Sequence, residues 1–90
     1  MQITNVAYIN RAVFKVVTDG TNGKRKRVIA TDVTMYHAIE AARNSTLEDV
    51  IVIAPGYGMV GFVNHEGVVV APDCIGPQFK QQVKNLQAID

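Results

Sequence analysis

The chain has little of the chemistry on which small enzymes and metalloproteins depend. Cysteine occurs once, at Cys74, and tryptophan is absent. The two histidines and the cysteine lie far apart, without the Cys-x-x-Cys or His-x-x-x-His spacing of metal sites. No paired carboxylates and no nucleophile with a neighbouring base stand out. We therefore predict a protein that is not an enzyme, has no cofactor or metal, and uses Cys74 as a buried structural residue.

Long hydrophobic runs are also missing. No apolar stretch approaches the roughly 20 residues that a membrane-spanning helix needs. The chain does not open with a charged segment followed by an apolar core, as a secretory signal would. With a single cysteine, these features favour a reducing, cytoplasmic setting without membrane contact.

Small and branched apolar residues are plentiful. Of the 90 residues, 48% are hydrophobic, 7% are aromatic and 19% are charged, which is the composition of an ordinary globular protein. Surface scaling predicts that a chain of this size buries roughly 64% of its surface on folding. This predicts one domain over residues 1–90 with a modest core, and self-association as a homo-oligomer would add to its stability.

The first third of the chain has the composition of strands. Residues 3–9 and 12–18 are rich in β-branched and aromatic side chains and form either one bent strand or two. Residues 19–23 contain two glycines and an asparagine, which accept the backbone conformations of tight turns. We expect the chain to reverse there and to pair residues 12–18 with residues 25–31 as an antiparallel hairpin.

A helix should follow this hairpin. Asp32 or Thr34 is a suitable N-cap, and Met35, Ile39 and Ala42 recur at the spacing that places side chains on one helix face. A second helix should begin near residue 77, where Pro77 suits the first turn. Its narrow apolar stripe would dock on the sheet or on a second copy of the chain, and it consists of Phe79, Val83, Leu86 and Ile89.

Three further strands lie between the helices. Residues 50–54 are apolar without alternation, the pattern of a central strand that is covered on both faces. Residues 59–63 and 68–71 should form a tight hairpin around the turn at residues 64–67. The predicted fold is a small α+β domain with a mainly antiparallel sheet of five to six strands, two helices, and the order β-β-β-α-β-β-β-α.

The basic cluster Lys24, Arg25, Lys26 and Arg27 is the most distinctive motif. Four adjacent cations beside a turn repel one another unless an anion or solvent neutralises them. They could hold a phosphate-bearing ligand or nucleic acid, or they could be solvated charges that discourage strand-edge aggregation. Lys15 and Arg11 are expected to assist, while Tyr8 and Phe14 offer stacking surfaces for bases.

A second candidate is the glycine-rich segment at residues 56–61, which fits G-x-G-x-x-G. Dinucleotide binding by that motif requires a helix directly after the glycines, but a strand and a turn are predicted here. We expect Gly56, Gly58 and Gly61 mainly to shape a bend between two strands. Gly56, Tyr57 and Gly58 remain a possible ligand loop with backbone N–H groups facing an anion.

These features predict a binding module. The leading hypothesis is contact with nucleic acid or a phosphate ligand through the basic hairpin. One alternative is a small inhibitor that sequesters another protein through a strand edge, the 57–59 loop or the last helix. Another is a nucleotide-binding sponge that uses residues 56–61.

Overall fold

The computed structural model describes residues 6–18, 27–45 and 50–87. Five strands form one antiparallel sheet, namely β1 (Phe14–Thr18), β2 (Val28–Val33), β3 (Val50–Ala54), β4 (Gly58–Val63) and β5 (Val69–Val70). The helices are α1 (Met35–Asn44), between β2 and β3, and α2 (Pro77–Gln87), after β5. In space the strands lie in the order β2-β1-β3-β4-β5. The predicted α+β class is confirmed, and the order agrees except at the first predicted strand.

That first strand is where the prediction fails. Within residues 3–9, the described part belongs to a 3₁₀ helix, Val6–Asn10, and residues 3–5 lie outside the described residues. Arg11 N–H donates to Tyr8 O at 3.0 Å and closes this helix. Ile9 is buried in the core, and the Tyr8 and Phe14 rings pack in a T-shaped arrangement. Burial of these side chains outweighs their strand propensity, which is a weak preference that depends on context.

The predicted first hairpin is present. β1 and β2 pair antiparallel, with Val16 opposite Ala30 and Val17 opposite Val28. Beyond these strands, Thr18 N–H donates to Arg27 O at 2.9 Å, and Arg27 N–H donates to the Thr18 hydroxyl at 2.8 Å. Two hydrogen bonds between the same residues fix the point where the chain leaves the sheet. The turn predicted at residues 19–23 lies outside the described residues.

The helices follow their sequence signals. Thr34 caps α1, since its hydroxyl accepts the His37 N–H at 3.4 Å and its carbonyl accepts the Ala38 N–H. The predicted stripe of α1 is buried. In α2, Phe79 and Val83 are buried in the core of their own chain, so the stripe docks on the sheet rather than depending on a second copy. Ile89, the last member of that stripe, lies outside the described residues.

Two turns connect β3, β4 and β5. Gly56 and Gly58 take φ of 78° and 75° and build the bend between β3 and β4, as predicted. At Gly61 the constraint is space and not backbone conformation, because a Cβ there would lie 3.1 Å from Val69 Cγ1. In the β4–β5 hairpin, Gly67 N–H donates to Asn64 O at 3.0 Å, which closes the four-residue turn predicted at residues 64–67.

The core lies between one face of the sheet and the two helices. Phe14 of β1 and Phe79 of α2 are fully buried there, with ring centroids 6.3 Å apart. Met35 of α1 and Ile75 of a short 3₁₀ turn, Asp73–Ile75, belong to the same cluster. The described helices therefore cover one face of the sheet, and neither of them packs on the other face.

Candidate interaction surface

Strand register brings apolar side chains from all five strands onto the face of the sheet opposite the helices. Directly paired residues share a face. One cross-strand row consists of Val28, Val17, Ile51, Phe62 and Val70. A second, shorter row consists of Lys15, Ile53 and Met59. We call these eight residues the open face.

The open face is separate from the core. Val17 is only 7% exposed, yet it is absent from the cluster of core residues that pack between the sheet and the helices. Its neighbours Ile51 and Phe62 are half-buried and do not pack against that cluster either. At the margins, Val28 is 59% exposed and Met59 is 42% exposed. The register makes these side chains cross-strand neighbours, so the open face is mainly apolar, and exposed apolar patches are typical of interaction surfaces.

The β5 edge of the sheet is protected by a side chain. Val69 N–H donates to Gln87 Oε1 at 2.9 Å, and Gln87 Nε2 donates to Val69 O at 2.8 Å. The Gln87 amide thus imitates one residue of a neighbouring strand. An edge whose backbone groups are already bonded is a poor template for pairing with another chain.

The β2 edge is irregular. The register shifts twice along its pairing with β1, and β2 carries an extra residue between Ala30 and Val33. There Asp32 takes a φ of 55°, which is unusual for a residue other than glycine. Such bulges bend a strand and interrupt its hydrogen-bonding edge. With both edges modified, the open face is the better surface for a partner.

The structure disperses the described members of the predicted basic site. Lys15 is exposed and lies on the open face opposite Ile53. Arg27 is exposed beside Thr18, at the far end of β1. Arg11 precedes the other end and stacks its guanidinium over Tyr8, 5.6 Å from the ring centroid. A five-residue strand is about 13 Å long, so Arg11 and Arg27 are not brought together. Lys24, Arg25 and Lys26 lie outside the described residues.

The predicted stacking platform for bases is wrong. Phe14 is fully buried, and Tyr8 packs partly buried between Phe14 and Tyr57. The ring that does reach the surface of the sheet is Phe62, in the middle of β4. Its cross-strand neighbours Ile51 and Val70 are aliphatic, so this surface lacks a series of aromatic rings for successive bases.

In the glycine loop, the predicted ligand site has at least one backbone donor already in use. Tyr57 N–H donates to Ala54 O at 3.1 Å, so that donor is occupied. The Tyr57 ring packs on Tyr8 with centroids 5.5 Å apart. Gly58 begins β4, and no helix N-terminus follows to stabilise a pyrophosphate. Gly56, Tyr57 and Gly58 thus serve the bend and the packing of Tyr8.

Titratable groups are scattered in the part of the chain that the structure describes, and no three of its His, Cys, Asp and Glu side chains gather as metal ligands. Cys74 is exposed, so its predicted burial is wrong. The Lys80 ammonium donates to the Asp73 carboxylate, and this hydrogen bond together with the Lys80 charge lowers the Asp73 pKa. His65 and Glu66 are exposed at the tip of the β4–β5 hairpin.

Sequence reasoning missed the open face as a site, although one signal pointed towards it. The apolar run at residues 50–54 predicted cover on both faces of β3, and among the described residues only one face is covered.

Over residues 6–18, 27–45 and 50–87, no helix has the length and apolar character to cross a membrane. Comparisons with protein-family models, with curated proteins and with solved structures gave no match.

Proposed function

We propose that this protein is a non-enzymatic binding module that contacts a protein partner through its open face. The observation that carries this proposal is the row from Val28 to Val70, which crosses all five strands and lies outside the core. Each Å² of apolar surface that a partner removes from water contributes about 25 cal/mol of favourable transfer free energy to binding. The two modified sheet edges favour this face over the strand edges as the contact.

A solvent paramagnetic probe tests whether the face is available. At a concentration low enough to keep the chain monomeric, the methyl groups of Ile51 and Ile53 should relax strongly in the presence of a soluble gadolinium chelate. The Ile39 methyl is the internal control, because Ile39 is 4% exposed in the core. Equal protection of all three isoleucines would mean that the chain covers its own face and would refute the proposal.

Nucleic-acid contact through the basic cluster is the second candidate. Its support is that Arg27 is exposed and that two hydrogen bonds to Thr18 hold its backbone at the end of β1. If the cluster neutralises about four phosphates, the logarithm of the binding constant should fall with the logarithm of salt concentration at a slope of about −3.6. Changing Lys24, Arg25, Lys26 and Arg27 to serine should abolish this dependence.

The control for this second experiment is Lys80→Ser, which also removes a cation but lies on α2 beside Asp73. That variant should keep the slope of the unmodified chain. Absence of binding to DNA, RNA or nucleotide at low salt would eliminate this candidate without affecting the proposal for the open face.

A further inference from the structure

We infer that the partner of the open face is a second copy of this chain, and that the two sheets stack face to face in a two-fold symmetric dimer. This inference rests on the proposed function, because it identifies the protein that occupies the same surface. Two-fold dimers are the commonest oligomers of soluble proteins, and their interface must be self-complementary.

The strand order makes the open face self-complementary. β3 is the middle strand, with β1 and β2 on one side and β4 and β5 on the other. A two-fold axis that lies between the sheets, parallel to the strands and over β3, places Ile51 of one copy over Ile51 of the other. It also places Val17 over Phe62 and Val28 over Val70, so apolar side chains meet along the whole row. The twist of each sheet turns this stacking by about 30°.

Charge also permits the stacking. Lys15 is the only ionisable side chain in the two rows that make up the open face. Because β1 lies one strand away from the axis, this symmetry places Lys15 over Met59 of the second copy and not over the other Lys15. The long aliphatic stem of lysine can contact Met59 while the ammonium reaches the solvated rim. Nucleic acid is a poorer occupant, because a surface with one cation and mostly aliphatic side chains offers few phosphate contacts.

The area of the face predicts how tight the dimer is. Four strands of five or six residues and the two-residue β5, spaced about 4.8 Å apart with a rise of about 3.4 Å per residue, give a face of roughly 400 Å² in projection. Two copies therefore remove about 800 Å² in projection, which is below the roughly 1,200 Å² at which stable interfaces begin and is typical of weak, transient contacts. We expect a reversible dimer with a dissociation constant in the micromolar range rather than an obligate one.

Sedimentation equilibrium from low micromolar to millimolar concentration tests the inference. The mass should rise from 9.8 kDa towards twice that value. Ile51→Asp places two carboxylates against each other on the axis, and we expect the dissociation constant to increase roughly a hundredfold or more. Phe62→Ser is a second variant in case Ile51→Asp does not fold. Tyr36→Ser, on the exposed surface of α1, is the matched control and should dimerise as the unmodified chain does.

The outcomes separate this inference from the proposed function. Protection of the Ile51 methyl that increases with concentration, in step with the mass, supports both. A monomer at every concentration whose Ile51 methyl stays accessible overturns the dimer and leaves the open face for a different protein. A monomer whose Ile51 methyl is protected overturns both. A dimer that Ile51→Asp and Phe62→Ser leave intact, or that Tyr36→Ser disrupts, overturns the inferred interface.

Discussion

Replacing Gln87 by alanine should weaken the β5 edge by a measurable amount. The Gln87 amide accepts from Val69 N–H at 2.9 Å and donates to Val69 O at 2.8 Å and to Val83 O at 3.2 Å. A neutral hydrogen bond contributes about 1 kcal/mol net, and water can reach part of this half-buried site in the variant. The expected loss in the free energy of unfolding is therefore about 1–2 kcal/mol.

Thermal unfolding followed by circular dichroism measures this loss. For a domain of this size, 1 kcal/mol corresponds to about 4–8 °C, so the Tm should fall by roughly 4–16 °C. Gln81→Ala is the matched control, because Gln81 also lies on α2 and its side chain donates to the exposed Asn85 side chain. The gain in helix propensity from glutamine to alanine is common to both variants and cancels in the comparison.

A charged variant tests whether the hydrogen bonds of the Gln87 side chain to Val69, and not its packing alone, stabilise the β5 edge. In Gln87→Glu, one carboxylate oxygen still accepts from Val69 N–H, but the other faces Val69 O, where Nε2 donates in the unmodified chain. Gln87→Glu should be destabilised at neutral pH and recover as acid protonates the carboxyl, which can then donate. Equal stability of Gln87→Ala and Gln81→Ala, or of Gln87→Glu and the unmodified chain at neutral pH, would refute the role of Gln87.

Three further predictions follow from single residues. Gly58→Ala should lower stability by about 1 kcal/mol in urea unfolding, because φ there is 75°; an unchanged midpoint would contradict this. Asn64→Ala should cost about 1 kcal/mol, since its Oδ1 accepts from Glu66 N–H and Val68 N–H, whereas Asn64→Asp should retain both bonds and most of the stability. The pKa of the Asp73 carboxyl should lie below its ordinary value of 3.8 and rise towards it in Lys80→Met, as followed by carbon NMR. Because that pKa is lowered by folding, the contribution of Asp73 to stability is present above pH 3.8 and is lost as the pH falls through the lowered value; identical Asp73 titration in both proteins would exclude the Lys80 contact.

The parts of the fold that local rules govern could be predicted from the sequence. Thr34 caps α1, and Gly56 and Gly58 provide the positive φ of the β3–β4 bend. The turn at residues 64–67 is closed as its sequence indicates, and Pro77 begins α2. Each of these features depends on residues within one turn of one another, so an amino-acid pattern is enough to identify it.

Features that depend on distant residues could not be predicted in the same way. Tyr8 and Ile9 read as a strand, and only their packing against the core explains the 3₁₀ helix Val6–Asn10. Gln87 is one of several polar residues of α2, and nothing in its local sequence shows that it pairs with Val69, 18 residues earlier. The prediction for Cys74 relied on the general tendency of free cysteine to be buried. The residue instead lies exposed in the 3₁₀ turn Asp73–Ile75.

The candidate site belongs to this second class. Val17, Ile51, Phe62 and Val70 come from four strands, and they form a surface only because the register aligns them. The sequence of any one strand shows which residues are apolar but not which of them become cross-strand neighbours. The basic cluster is the opposite case, since its residues are adjacent in the chain and the sequence alone identifies it. Arg11, which was expected to assist the cluster, lies at the opposite end of β1 from Arg27.

The apolar run of β3 has more apolar residues than packing against the helices requires. Its alternate residues Val50, Val52 and Ala54 face the helices and are buried, so the core alone requires apolar residues at every second position. A sheet with one face in water usually carries polar residues at the intervening positions. Here those positions are Ile51 and Ile53, each half-buried beside other apolar side chains of the open face. Covering one face does not explain these two isoleucines, whereas the proposed stacking against a second sheet would bury both.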